Sequence, residues 1–154
     1  MAILNANTLE SQINFPKDGI ITQKYIAGIP GGRALKTAGY PLSVIFAGTP
    51  VIKETATGDY KPFPLVQKTE TVENVTTPVV DEDGNPVYVL GTLPEGHTYA
   101  GILYKSIKTK NPAAAIMTEG QVNIAALYYS LDSILSAFKA ACPLIEFISD
   151  EEAK

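Results

Sequence analysis

Leu42-Ser43-Val44-Ile45-Phe46, then Ala47-Gly48-Thr49, then Pro50-Val51-Ile52-Lys53, is the stretch in which the chain declares its fold class. Both outer runs are short and rich in β-branched and aromatic residues, and a glycine-bearing break separates them. That combination predicts two β-strands. Thr57-Gly58-Asp59 reads as a turn ahead of Tyr60-Lys61-Pro62-Phe63-Pro64-Leu65. Two prolines there would remove ladder hydrogen bonds from a central strand, so this piece belongs to an edge strand or a loop.

Downstream the β pattern continues. Residues Thr69 to Thr77 alternate Thr or Glu with Val72 and Val75, and Pro78-Val79-Val80 and Pro86-Val87-Tyr88-Val89-Leu90 flank Asp81-Glu82-Asp83-Gly84-Asn85. Glycine among acids between two apolar runs is a hairpin signal. Residues Lys68 to Glu95 hold six acids and one base and read as a hairpin inserted on the surface. Tyr99-Ala100-Gly101-Ile102-Leu103-Tyr104 predicts a buried strand, and Ala114-Ala115-Ile116-Met117 another. Thr118-Glu119-Gly120-Gln121 is expected to make a tight turn into the strand that follows. A helix is predicted from a cap at Asn123, with Ile124, Leu127, Tyr128, Leu131, Ile134, Leu135, Phe138 and Ala141 on one face and Pro143 as its stop. Leu144 to Ile148 reads as a closing strand and Ser149 to Lys154 as an acidic, solvated tail.

Upstream the chain reads differently. Isolated apolar residues, among them Ile13 and Phe15, are interrupted by Asn5, Asn7, Ser11 and Asn14, and Pro16 and Gly19 break any continuing element. A β-prone stretch, Gly19 to Gly28, runs into Ile29-Pro30-Gly31-Gly32-Arg33, which no regular element tolerates. The expectation is an extended arm over residues 1–39, a β-rich domain over 40–148 with the insertion at 68–95, and the tail at 149–154. Such an arm buries too little surface to order by itself, but it can order on a partner by adding a strand to that partner's sheet. The fold class is therefore mainly β (α+β), with one helix in the C-terminal region.

The 154 residues are 45% hydrophobic, enough for a real core, and only 18% charged. So small a charged share leaves room for partner-covered surface. A net charge of −4 with scattered lysines argues against nucleic acid as a partner, since phosphates need clustered bases. Met1 to Leu9 lacks a cationic region ahead of an apolar core, so no signal peptide is expected. No apolar run reaches membrane-spanning length, so no membrane partner is expected.

A search for chemistry finds no constellation. One cysteine, Cys142, excludes an internal disulfide framework and a cysteine metal site. One histidine, His97, sits in the polar loop Pro94-Glu95-Gly96-His97-Thr98, where a turn residue is the simpler reading than a catalytic base. There is no Gly-x-Ser-x-Gly elbow, and Ile29 to Arg33 lacks the lysine-hydroxyl pair of a phosphate loop. Asp81-x-Asp83-Gly84 opens like a calcium loop, but its twelfth position is Thr92 rather than glutamate. The expectation is a non-enzymatic protein with no cofactor and no metal.

Three segments in order resemble the lambda-type head decoration proteins of tailed bacteriophages, also called capsid-stabilising or cement proteins. They are Phe46-Ala47-Gly48-Thr49-Pro50-Val51 with Gly58-Asp59-Tyr60-Lys61-Pro62, then Tyr99-Ala100-Gly101-Ile102-Leu103-Tyr104, then Ala115 to Asn123 ending in Gly-x-Val-Asn ahead of the helix. The likeness spans residues 40 to 148, interrupted by the acidic hairpin. It implies a protein made in the bacterial host cytoplasm that ends in the virion, on the outside of the capsid. It further implies homotrimers at local three-fold positions, bound to the major capsid protein and holding the expanded shell against genome pressure. On that reading the capsid contacts are expected at Ile13, Phe15, Ile20, Ile21 and Tyr25, and the trimer contacts at Arg33, Glu119 and Gly120. The competing readings are a carbohydrate-binding or adhesive β module, for which the eight tyrosines supply candidate platforms, and a phage tail or baseplate component.

Overall fold

A computed structural model describes residues 15–153. A short helix, α1 (Asp18–Ile21), leads directly into β1 (Thr22–Gly28). Then come β2 (Arg33–Ala34), β3 (Val44–Ile45), β4 (Pro50–Glu54), β5 (Tyr60–Pro62) and β6 (Leu65–Gln67). The insertion supplies β7 (Thr69–Val72), β8 (Val75–Pro78) and β9 (Tyr88–Leu90). The chain continues through β10 (His97–Leu103), β11 (Ile107–Lys108), β12 (Ala113–Ala114) and β13 (Ile116–Asn123). A 3-10 turn (Ile124–Ala126), α2 (Leu135–Ala141) and β14 (Ile145–Ile148) close it. The protein is mainly β with one C-terminal-region helix of more than a single turn.

Six strands form the central sheet in the order β1-β13-β10-β4-β5, with β14 also on β13. β13 is the organising strand. Antiparallel β1 covers one of its edges from Met117 to Val122. The opposite edge is shared, antiparallel β10 taking Ile116 and Met117 and parallel β14 taking Gly120 to Asn123. Alternation along these strands builds a core on both faces. Ile102 and Met117 join the cluster around Phe138, whereas their neighbours Leu103 and Ile116 join Leu35, Ile45, Val51 and Ala114 on the other side. The first face is roofed by α1, the 3-10 turn and α2. The second is roofed by two small ribbons, β2 with β12 and β3 with β11. A third cluster, Ile52, Phe63, Leu90, Leu131 and Ile134, extends the core toward the root of the insertion.

Three expectations need correction. The extended arm does not reach residue 39: α1 and β1 belong to the domain. Ile21 is fully buried, and β1 is hydrogen-bonded along β13. The hydrophobic anchor that seemed available to a partner is taken by the chain's own core. The tight turn at Thr118–Gln121 does not exist either, because β13 runs straight through it. Gly120 is there for another reason. A Cβ at that position would run into the Lys24 carbonyl of β1 and the Met117 sulfur. The glycine therefore permits close strand approach rather than a reversal.

The long helix is likewise shorter. Asn123 caps as expected, its side chain accepting from the Ala125 amide at 3.1 Å. Leu127 then turns extended (φ −61°, ψ 142°), and the α-helix resumes only at Leu135. Packing overrides periodicity here. Tyr128 is drawn flat onto Phe46 at 3.9 Å between ring centroids, and Leu131 drops into the third cluster. The tail is also less free than its composition implies. Buried Asn123 accepts from the Asp150 amide at 3.0 Å and donates to the Asp150 carbonyl at 3.1 Å.

α1 is fastened by a buried-edge network rather than by helix propensity, since a single turn has almost none. The Asp18 carboxylate accepts from the Ser106 amide at 2.8 Å and from the Ser106 hydroxyl at 2.6 Å. That hydroxyl in turn accepts from the Ala47 amide at 2.8 Å. Asp18→Ala strands two donors and is expected to cost about 1–3 kcal/mol. Urea midpoints compared with Asp18→Asn, which keeps an acceptor, test this: a wild-type midpoint for the alanine variant would show the network to be idle.

Among the described residues no helix is long and apolar enough to cross a membrane.

Candidate interaction surface

The chain enters the domain beside an aromatic cluster. Phe15 is half-buried and meets Phe46 edge-on at 6.4 Å and 87°. Phe46 stacks on the ring of Tyr128, a residue 38% exposed, which carries the Lys17 ammonium at 5.4 Å. Whatever leaves residue 15 toward the N-terminus therefore starts from an aromatic surface. Ile13 lies outside the described residues. Ile20 is half-buried against the core cluster of Phe138.

β1 is one outer strand of the central sheet, with no strand on its far side among the described residues, and its Gln23, Lys24, Tyr25 and Ile26 are exposed. Register breaks after Thr22, Tyr25 and Ala27 kink it, and Lys24 adds a charge. Both features discourage indiscriminate edge pairing. Tyr25 is 45% exposed, with its ring 4.9 Å from that of Tyr104 and its hydroxyl folded over Gly28. Of the five expected capsid contacts, then, Phe15, Ile20 and Tyr25 are at least partly exposed, and Ile21 is withdrawn into the core.

The expected trimer residues separate. Arg33 is exposed in the β2–β12 ribbon, after a turn in which Gly31 and Gly32 both hold positive φ (73° and 67°). Its guanidinium donates to the Pro30 and Gly32 carbonyls and sits 5.6 Å from the Tyr60 ring. Glu119 is half-buried and Gly120 buried in the middle of β13. Gly120 presents no side chain and no turn to a neighbouring copy, so it is not an exposed contact.

A second surface, which the sequence did not single out, surrounds the outer edge of β5. Arg33 and Lys53 both approach the Tyr60 ring, at 5.6 and 5.5 Å. On the opposite face of the β4–β5 pair lies a cleft of about 260 Å³ lined by Lys36, Tyr40, Lys61, Pro64, Leu65 and His97, among others. Lys61 bridges Glu54 at 2.8 Å and donates to His97 Nε2 at 3.2 Å. With Nε2 accepting, the imidazole proton sits on Nδ1, 2.9 Å from the Glu95 carbonyl to which it donates. The Lys61 hydrogen bond, with help from Thr57, holds the Glu54 carboxyl below the usual carboxylate range. Burial, reinforced by the neighbouring Tyr129, pushes the Tyr40 hydroxyl well above the ordinary tyrosine range. Lys61 of β5 meets His97 of β10 over the intervening β4, a contact not visible in the sequence, where they stand 36 residues apart.

The inserted ribbon makes a third surface. β7 and β8 pair from Thr69↔Pro78 to Val72↔Val75, around a two-residue turn with Glu73 and Asn74 at φ 50° and 67°. Every residue of both strands is exposed. The Asp81 loop is held by its own carboxylate, which accepts from the Asp83 and Asn85 amides at 2.9 Å each. Those hydrogen bonds, that of Asn85 first, keep the Asp81 carboxyl below its usual range.

For catalysis the geometry offers little. Cys142 is buried at the end of α2, and burial pushes its thiol pKa up, away from the reactive thiolate. His97 already has both ring nitrogens in contacts. Among the described residues no group of three or more His, Cys, Asp or Glu side chains converges to hold a metal ion. No protein-family model, no curated protein and no solved structure matches this chain.

Proposed function

We propose that this protein is a structural virion component that binds the outer surface of a tailed-phage capsid, as trimers at local three-fold positions, and stabilises the expanded shell. The observation that carries the reading is where the three resembling segments fall. Phe46–Val51 runs into the first two residues of β4 and Gly58–Pro62 into β5, Tyr99–Tyr104 covers most of β10 and Ala115–Asn123 all of β13, and these four strands are successive neighbours in one sheet. The helix and closing strand then follow in the family's order. Short glycine-centred motifs that meet on adjacent strands are better support than the same motifs scattered.

The mechanism follows from the entry of the chain. Residues preceding Phe15 join the domain beside the Phe15–Phe46–Tyr128 aromatics. A segment here that orders only on a correctly spaced coat-protein strand gains main-chain hydrogen bonds there and makes attachment selective for the mature shell. Three such segments on one trimer multiply into high avidity.

The test mixes purified protein with expanded, undecorated shells and counts bound copies by sedimentation. The truncation must stop at residue 14, because removing Ile21 and β1 would damage the fold. Saturable binding in multiples of three is expected for the intact chain, falling by at least roughly 100-fold in affinity without residues 1–14, within the range avidity supplies. Failure of the intact, folded chain to bind would remove the capsid reading.

A further inference from the structure

The insertion carries an ordered apolar face that its own copy leaves uncovered. β6 and β7 run on as one strand through Lys68, whose amide donates to the Val87 carbonyl at 2.7 Å and whose carbonyl accepts from the Val79 amide at 2.8 Å. Side chains therefore alternate without a break from Leu65 to Val72. Leu65, paired with Leu90, takes the face that meets the third core cluster. Val66, Lys68, Glu70 and Val72 take the other face. Across the ribbon they stand opposite Val89, then Val79 and Val87, then Thr77, then Val75. Val72 and Val75 at the tip are 67% and 61% exposed, and Val66 and Val89 at the root 50% and 37%. A two-stranded ribbon with valines in water is marginal by itself and gains stability when that face packs on further strands.

The order of residues on this face selects what covers it. Along β6 and β7 the face reads valine, cation, anion, valine. Among the described residues no ion pair holds Lys68 or Glu70. The two charges cancel, so a strongly acidic or basic partner gains nothing here, and a wholly apolar partner would bury both charges unpaired. A second copy meets both demands. Turned end for end about an axis level with Thr69 and Pro78, the face matches itself. Val66 then lies over Val72 of the second copy, Lys68 over Glu70, Val75 over Val89 and Thr77 over Val79. A slip of two residues either way puts Lys68 over Lys68 or Glu70 over Glu70, so the charges fix one register.

We infer that this face is a two-fold contact between two copies of the chain, with valine on valine at both ends and two Lys68–Glu70 pairs at its centre. The same patch serves both copies, as an isologous contact requires. Two short strands present fewer residues than the roughly 20–30 a side of a standard interface, so association between free copies is weak and reversible. On the shell proposed above, the contact joins a copy in one trimer to a copy in the next. That placement rests on the proposed function; the contact itself does not.

Sedimentation velocity without shells reads the contact, at chain concentrations up to about 1 mM, where weak pairing is still populated. The wild type is expected to double in mass reversibly. Lys68→Glu and Glu70→Lys each set like charges in contact and are expected to weaken the doubling at least about tenfold. Exchanging the two, Lys68→Glu with Glu70→Lys in one chain, restores opposite contacts and should associate like the wild type. An equimolar mixture of the two single variants should do the same. Val72→Ser with Val75→Ser should abolish the doubling. All four positions are exposed, and circular dichroism verifies that each variant is folded. A wild type with no doubling at the highest concentration overturns the contact. So does doubling indifferent to the single reversals or to the serines, or a folded exchange variant that fails to recover. Shell binding is scored separately by co-sedimentation with capsids, so failure of the two-fold contact and failure of the capsid reading give different results.

Discussion

Gly120→Val is expected to unfasten β1 and cost at least about 3 kcal/mol, the upper part of the range for overpacked interiors. Gly120 lies between Tyr25 of β1 and Ile145 of β14, with strands on both edges. A Cβ there meets the Lys24 carbonyl and the Met117 sulfur, one a backbone atom that cannot rotate away. Relief requires β1 to move, and β1 carries buried Thr22 and follows directly on Ile21 in the core. Against a total stability of about 5–15 kcal/mol for a small domain, such a loss leaves little margin. Gly120→Ala should shift in the same direction, since the first carbon already collides. Urea unfolding gives the magnitude, and amide exchange shows whether protection is lost first in residues 22–28. A valine variant with the wild-type midpoint and intact β1 protection would refute the close-approach account.

The same glycine shows what the sequence could and could not reveal. Its neighbours Thr118, Glu119 and Gln121 are polar, so local reading made it a turn. Only the approach of β1, roughly a hundred residues earlier in the chain, gives the position its actual role. The strands themselves were legible wherever burial on both faces left continuous apolar runs, as in Val51-Ile52 and Ile102-Leu103, because such runs satisfy both cores at once. The edge position of Tyr60–Pro62 was legible from its prolines. The helix was over-read because Leu127, Tyr128, Leu131 and Ile134 keep helical spacing although each is buried or stacked by a different neighbour. Periodicity records that a residue is held, without recording by what. Ile21 was misassigned for a similar reason: an apolar residue beside Pro16 and Gly19 looks like a loose anchor until β13 covers it. The cleft was invisible because Lys36, Lys61 and His97 are distant in sequence and no spacing rule links them.

Phe138→Ala is expected to have the larger effect of any side-chain truncation on α2, about 3–5 kcal/mol. The ring is fully buried and is the only buried side chain within the seven-residue helix. It meets Tyr99 edge-on at 5.4 Å and Phe147 at 5.8 Å, and so joins the helix to β10 and β14 together. A helix of that length has no independent stability, so its order depends on this one attachment. Truncation leaves a cavity that its neighbours, members of strands fixed by their own ladders, cannot collapse to fill. Phe138→Leu keeps most of the volume and should cost under about 2 kcal/mol, which separates packing loss from the loss of edge-to-face contact. The thermal midpoint of the alanine variant should therefore fall well below that of the leucine variant. A wild-type thermal midpoint would mean that α2 is held by something other than Phe138.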